Sequence, residues 1–272
     1  MRIVCLGDLL LDVIVRLNEP LAFGADALAS TQAGSGGQAA NVAAWAVELG
    51  ADARFVGKVA DDAAGRVVAE DFRARGVDLV GPVVPGRNGI VVSLVAADGD
   101  RTMASDRGVA PDLSPHELDP SWFGDADVLH LSGYSLMRSP IDGAALRATS
   151  FARKAGARVS VDLSAWTRIR DFGPRAFRER LEQVSPDIVF ANEPEWEIVG
   201  GAYALARTAI VKRGARGIRV VGEVEGNFPA VPGEVVDATG AGDALAAGFL
   251  VGGPELAVET AARCVAKLGT MP

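Results

Sequence analysis

The residues that carry redox and metal chemistry are scarce in this chain. Among 272 residues there are two cysteines, Cys5 and Cys264, and two histidines, His116 and His130. The cysteines lie near opposite ends, form no Cys-x-x-Cys pair and have no metal-ligand spacing. Reduced thiols in a cytoplasmic protein are the simplest reading. Neither histidine stands near a Ser or Cys nucleophile constellation, so a hydrolase is not indicated. His130, within the apolar stretch DVLHLSG, reads as a hydrogen-bonded core residue, and His116, in LSPHELDP, as a surface one. Basic runs are absent: Lys+Arg number 27 against 35 Asp+Glu, a formal net charge of -8. That balance argues against general nucleic-acid or membrane-surface binding. The apolar N-terminal stretch is interrupted by Asp8 and Asp12, which spoils both a signal-peptide core and a membrane span. Repeats, low-complexity tracts and linkers are missing too.

What the chain has is apolar residues, at 49%. That is enough for a sizeable core in one large α/β domain or two small ones. Short apolar strands alternate with helical patterns. Residues 2 to 7 read as a buried strand, and GSGGQAANVAAWAVELG as a glycine loop and a helix closed by Gly50. Further strands are expected in ARFVGKV, DVLHLSG, RVSVDLS, DIVFAN, TAIVKRG and GIRVVGE. Further helices are expected near 62 to 76, 140 to 156, 174 to 184, 240 to 250 and 254 to 269. Such alternation predicts a mostly parallel sheet covered on both faces. Residues 89 to 105 break it and read as a β-hairpin turning at DGD. With the segment after Asp12, this hairpin forms a small β flap.

The densest chemistry lies in DATGAGD, residues 237 to 243. A strand ends near Val236 and a helix begins near Gly240. Free N–H groups at a helix start attract anions, and glycine lets a phosphate approach the backbone. Asp243 falls in the first turn, where its carboxylate should stay ionised at neutral pH and suit a base for a substrate hydroxyl. The plain structural alternative is a turn capped by Thr239, with Asp243 complementing the helix dipole. GSGGQAA carries two readings as well. Gly34, Gly36 and Ala39 spell a dinucleotide fingerprint, but that fingerprint should follow a strand directly. FGADALASTQA before it makes no convincing strand.

The full string DATGAGD resembles the second signature of the PfkB, or ribokinase-like, carbohydrate kinase family. The first signature is matched by Gly36, Gly37 and Asn41 in GGQAAN, and NEPE resembles the family's Asn-x-x-Glu motif through Asn192 and Glu195. The resemblance spans essentially the whole chain. It implies a three-layer α/β/α sandwich with a mostly parallel central sheet and a small β-sheet lid. One kinase domain would cover 1–272, with the lid formed near 12–33 and 87–108. It also implies an ATP- and Mg²⁺-dependent phosphotransferase acting on an alcohol group. Asp243 would be the base, and the backbone of Gly240, Ala241 and Gly242 an anion hole. Asn192 and Glu195 would organise magnesium and the nucleotide phosphates. Lys212, Gly214 and Gly217, in VKRGARG, match the nucleotide-binding strand and turn, although Lys212 can equally be an ordinary strand-end lysine.

On the acceptor side, the resemblance gives Gly36 and Gly37 a sugar lying against the backbone and Asn41 a bond to a hydroxyl. Asp12 stands where such kinases commonly hold a substrate-binding aspartate; a polar strand end is the plain alternative. Asp8 reads as structural. Arg101 and Arg107 fall on or after the flap, over the sugar, though arginines in hairpins are often simply solvated. Asp237 and Thr239 match positions where many family members bind a monovalent cation such as K⁺, and AKLGTMP could add carbonyls. Lid-to-lid homodimers are frequent in the family. Two positions depart from the ribokinase pattern: Gln38 where lysine is frequent, and Leu10 where a polar contact is. Both make ribose less favoured. The helix between Glu195 and Lys212 should be abbreviated. The expected acceptor is a monosaccharide or sugar acid of the fructose, ribose or 2-keto-3-deoxygluconate type. The alternative is a nucleoside such as adenosine or pseudouridine. Aromatic residues for stacking a base are few, at 6% of the chain, and none lies between residues 73 and 121.

Overall fold

A computed structural model describes residues 1–21, 24–96, 101–201 and 205–272, without the side chain of Arg101. In β1 (Arg2–Leu6), Ile3 and Cys5 enter one apolar cluster while Val4 and Leu6 enter another. Alternate residues of a strand point to opposite faces, so a strand apolar at every position must be covered on both. The same holds for β12 (Ile188–Asn192), where Ile188 and Phe190 face one cluster and Val189 and Ala191 the other.

The remaining strands of the large sheet are β4 (Asp52–Val56), β6 (Asp78–Val80), β10 (Val128–Ser132), β11 (Arg158–Asp162), β13 (Thr208–Lys212), β14 (Ile218–Gly222) and β15 (Gly226–Phe228). Among the described residues they form nine strands ordered β15-β14-β13-β12-β11-β10-β1-β4-β6, with antiparallel pairing only at β13-β14-β15. Helices α1 (Gln38–Glu48), α2 (Ala63–Ala74), α7 (Ala241–Gly252) and α8 (Pro254–Val265) cover one face. Helices α3 (Ile141–Lys154), α4 (Trp166–Phe172), α5 (Pro174–Val184) and α6 (Glu193–Ile198) lie on the other. This is the three-layer arrangement expected from the alternation, and α6 has the expected brevity.

A second sheet holds β2 (Leu10–Leu17), β3 (Ala29–Gly36), β8 (Asn88–Val95) and β9 (Arg101–Gly108) in the order β3-β2-β8-β9. The hairpin of β8 and β9 is as read from the sequence, and its turn lies outside the described residues. Strands β5 (Val59–Ala60) and β7 (Val83–Val84) make a short separate pair. No described helix is long and apolar enough to cross a membrane.

Four local readings need correction. First, ASTQAGSG is a strand, β3, running into the glycines that precede α1. Its small polar residues are mostly exposed, so it shows no apolar alternation. It pairs antiparallel with β2, whereas a dinucleotide fingerprint belongs to a parallel βα unit. Second, no strand precedes α7. The chain there is irregular and reaches the molecule through Val236 and Asp237 N–H groups donating to the Val265 carbonyl, at 2.7 and 3.2 Å. Third, α4 was not anticipated; its seven residues are too few to show helical periodicity. Fourth, β6, β7 and β15 were missed; each has two or three residues.

The C-terminal tail is held from inside the core. Trp45, fully buried on α1, donates its indole N–H to the Thr270 carbonyl at 2.8 Å. Trp45→Phe keeps an aromatic ring at this position but removes the indole N–H, leaving that carbonyl only the weak Cys264 thiol contact at 4.0 Å. Denaturant unfolding should show a loss of about 1–3 kcal/mol.

Candidate active site

A cavity of about 640 Å³ opens where β1, β10 and β11 end, with β2, β8 and β9 forming its other side. Strand β1 lies between β4 and β10, so the strand order reverses at this point. Crevices of open α/β sheets form at the carboxyl ends of strands where that reversal occurs.

Asp243 sits in the first turn of α7 and lines the cavity. The helix starts at Gly240, whose φ of 74° is left-handed. A Cβ there would stand 2.8 Å from Cβ of Thr270, so glycine is required twice over. Asn41 Nδ2 donates to Asp243 Oδ2 at 2.6 Å, and Thr270 Oγ1 donates to Asn41 Oδ1 at 3.0 Å. Asn41 lines the cavity, yet its amide is engaged with the proposed base and the tail. Burial pushes the Asp243 carboxyl up to about 7; the Asn41 bond and Lys212 pull it down, while Asp162 and Asp12 add to the rise. That sets the group near half ionisation at neutral pH rather than the full ionisation expected, because desolvation outweighs the Asn41 hydrogen bond and Lys212.

Asp12 on β2 also lines the cavity, and a Cβ on Gly36 would collide with its carboxylate. Gly37 adopts φ 114°, and a Cβ there would strike the Asp8 carbonyl oxygen. The two glycines thus let the aspartate strands close on the start of α1. Asp8 receives a two-pronged ion pair from Arg107 on β9, at 2.5 and 3.0 Å. Both residues line the cavity. The Arg101 side chain lies outside the described residues.

Beneath α7, Lys212 at the end of β13 donates to Asp162 Oδ2 at 2.7 Å. Its ammonium would stand 3.2 Å from a Cβ on Gly242. Burial works to lower the Lys212 pKa, but Asp162 and Glu195 more than offset it, and the ammonium stays charged. Asn192 and Glu195 form a reciprocal cap at the start of α6. Glu195 Oε2 accepts the Asn192 N–H and Oε1 accepts its Nδ2, both at 2.8 Å, while the Glu195 N–H donates to Asn192 Oδ1 at 2.9 Å. Burial raises the Glu195 pKa, with Lys212 opposing it. Gly214 and Gly217 shape the turn between β13 and β14 with φ 56° and 79°. Neither they nor Asn192, Lys212, Glu195, Ala241 and Gly242 line the large cavity.

Among the described residues no three His, Cys, Asp or Glu side chains gather as a metal-ion site. Asp237 Oδ1 accepts the Thr239 N–H at 2.9 Å and its hydroxyl, and Oδ2 accepts the Gly269 N–H at 3.1 Å. A cation at Asp237 and Thr239 would have to share these oxygens.

A family model described as "pfkB family carbohydrate kinase" matches residues 1–271. The chain belongs to this family. It is 34% identical to the ATP-dependent ribose-1-phosphate kinase of Halopiger xanaduensis, over 97% of this chain and 90% of that one. It resembles the crystal structure of adenosine kinase from Sinorhizobium meliloti with a TM-score of 0.87 at 25% identity, covering 99% and 95% of the two chains. Ribokinase from Thermotoga maritima shares the fold, with a TM-score of 0.77 at 21% identity over 99% and 95%. As a PfkB carbohydrate kinase, the chain is a phosphotransferase with an alcohol acceptor.

Several cavity residues of this PfkB chain have no role assigned from sequence. Gln38 accepts hydrogen bonds from Ser132 and Ser164, each at 2.5 Å. Ser164 has φ 82°, rare for a residue with a side chain. Tyr134, Arg138, Arg168 and Thr270 also line the cavity. Ser132 ends β10, and Tyr134 and Ser164 lie within two residues of the ends of β10 and β11, so the strand-end rule would have pointed to these three. His130 is a core residue as expected. Its Nδ1 lies 2.7 Å from Ser160 Oγ, and burial lowers its pKa to about 4.

The Asp243 carboxyl has a folded value of about 7 against an ordinary 3.8. The fold therefore favours the protonated form, and this group's contribution to stability is lost as pH rises from about 4 to about 7. Asp243→Asn removes that loss. Its melting temperature relative to the parent should be higher at about pH 8 than at about pH 4.

Proposed function

We propose that this carbohydrate kinase transfers the γ-phosphoryl group of ATP to a primary hydroxyl of a monosaccharide or sugar acid, with Asp243 as the base. One observation carries the reading. A carboxylate poised near neutrality, fixed by Asn41, shares a single cavity with Asp12 and the glycine-started N-terminus of α7.

Asp12 pairs with acceptor hydroxyls, since a carboxylate takes two adjacent hydroxyl donors well. Asp243 accepts the proton of the hydroxyl that attacks the γ-phosphorus. The new O–P bond forms as the bond to the β-phosphate oxygen breaks, and ADP leaves. The backbone of Gly240, Ala241 and Gly242 faces the transferring group with N–H dipoles. Lys212, buried below Gly242, adds positive charge under the same turn. Asn192, Gly214 and Gly217 belong to the nucleotide side. Mg²⁺, when bound with the nucleotide, neutralises phosphate charge. Arg107, locked to Asp8, fastens the lid strand β9 to the loop after β1.

A nucleoside acceptor is the second reading. Tyr134 and Phe172 line the cavity and offer surface on which a base can stack. They come from the wall opposite the lid, which is why the scarcity of lid aromatics missed them.

ADP release with ATP and Mg²⁺ against neutral sugars, sugar acids, sugar phosphates and nucleosides decides between the readings. Asp243→Ala should lower turnover by about 10²- to 10⁴-fold while the fold persists. Turnover within twofold of the parent, roughly the scatter of such assays, would refute Asp243 as the base. Because the carboxylate is the active form, kcat/KM should fall as pH drops through about 7. In Asn41→Ala that acid limb should move to higher pH, since the Asn41 bond holds the pKa down.

A further inference from the structure

Helix α4 carries Arg168 and Phe172 into the cavity wall. It is aimed there by the left-handed turn at Ser164, whose N–H donates to Asp162 Oδ1 at 3.1 Å. The charges lining the cavity then divide. Arg107 is neutralised by Asp8. Asp171 pairs with Arg170 at 2.8 and 3.0 Å, with both side chains more than half exposed. Asp12 and Asp243 serve the hydroxyls. Arg138 reaches only Asp112, at 3.9 Å, with both side chains more than half exposed, and such a pair is weak. Arg168 has no carboxylate partner among the described residues at ion-pair distance. Its field nevertheless reaches Tyr134, whose pKa burial raises and Arg168 opposes.

A guanidinium has five donors and no acceptor, and its planar fork matches a carboxylate or phosphate. Arg168 is an exposed side chain, so water can serve it beside a neutral acceptor, whereas an anionic acceptor would offer its fork a charge-assisted, two-pronged partner.

We infer that the phosphoryl acceptor carries an anionic group, a phosphate or a carboxylate, and that Arg168 with Arg138 is its seat. This rests on the kinase reading above. The anion binds on the α4 wall while the reacting hydroxyl lies at α7.

The test compares ribose, ribose 1-phosphate and ribonate, which share the same primary hydroxyl, and includes fructose as a second neutral acceptor. ADP release is measured with the parent, Arg168→Gln and Arg168→Lys, after melting curves show that each is folded. One anionic acceptor should exceed ribose in kcat/KM, and which one identifies phosphate or carboxylate. Arg168→Gln should shrink that anionic-to-neutral ratio by about 10- to 100-fold. Arg168→Lys should restore part of it, since it keeps the charge and loses the fork. A neutral sugar used as well as the anionic ones, or a ratio unchanged in Arg168→Gln, overturns the inference. If no acceptor releases ADP, the kinase reading fails separately. Calorimetric titration of ribose 1-phosphate and ribonate then decides the anion seat. Binding weakened in Arg168→Gln supports it, and equal or absent binding overturns it.

Discussion

One hydrogen bond ties the site together: Asn41 Nδ2 to Asp243 Oδ2, at 2.6 Å. It joins α1 to α7 across 202 residues of sequence. On its far side Asn41 accepts from Thr270, so the tail belongs to the same unit. Gly240 completes it, since only a residue without Cβ lets α7 start against Thr270. The bond also sets chemistry. Desolvation drives the Asp243 carboxyl toward protonation, and the Asn41 donor is the strongest force against it. A carboxyl poised near neutrality is the balance of the two.

Around that bond the buried charges are arranged in pairs. Lys212 and Asp162 meet under α7, with Glu195 near enough to raise the lysine pKa further. Removing one partner of such a pair leaves an uncompensated buried charge, which costs far more than the pair itself contributes. Asp8 and Arg107 are a second pair, and they cross between sheets: Asp8 follows β1 and Arg107 lies on β9. The position of the small sheet over the cavity is thus set by a charge-assisted, two-pronged contact. Arg168, by contrast, is exposed on the cavity wall and has no carboxylate partner at ion-pair distance among the described residues.

The fold explains why these groups converge. Parallel strands end on one edge of the sheet, and the residues just beyond them have left the hydrogen-bond ladder. Tyr134 and Ser164 occupy such positions after β10 and β11, and Ser132 is the last residue of β10. Their side chains are free to turn into the crevice that the reversal of strand order creates.

The sequence by itself determined the layered fold, because strands apolar on both faces alternate with helices whose apolar residues recur at helical spacing. It also determined the start of α7, since the glycines of DATGAGD, crowded together, mark a helix N-terminus. It pointed to Asp12, Asn41 and Arg107 as well, although Arg107 turned out to be bound to Asp8. The protonation of Asp243 was not legible there. It depends on burial and on carboxylates 81 and 231 positions away, at Asp162 and Asp12. Strand β3 was hidden because an exposed edge strand of small polar residues needs no apolar alternation. Arg168 looked like any helix arginine until the turn at Ser164 aimed α4 into the cavity. Only tertiary structure decides such matters, because desolvation and charge pairing depend on distances in space, and sequence separation does not report them.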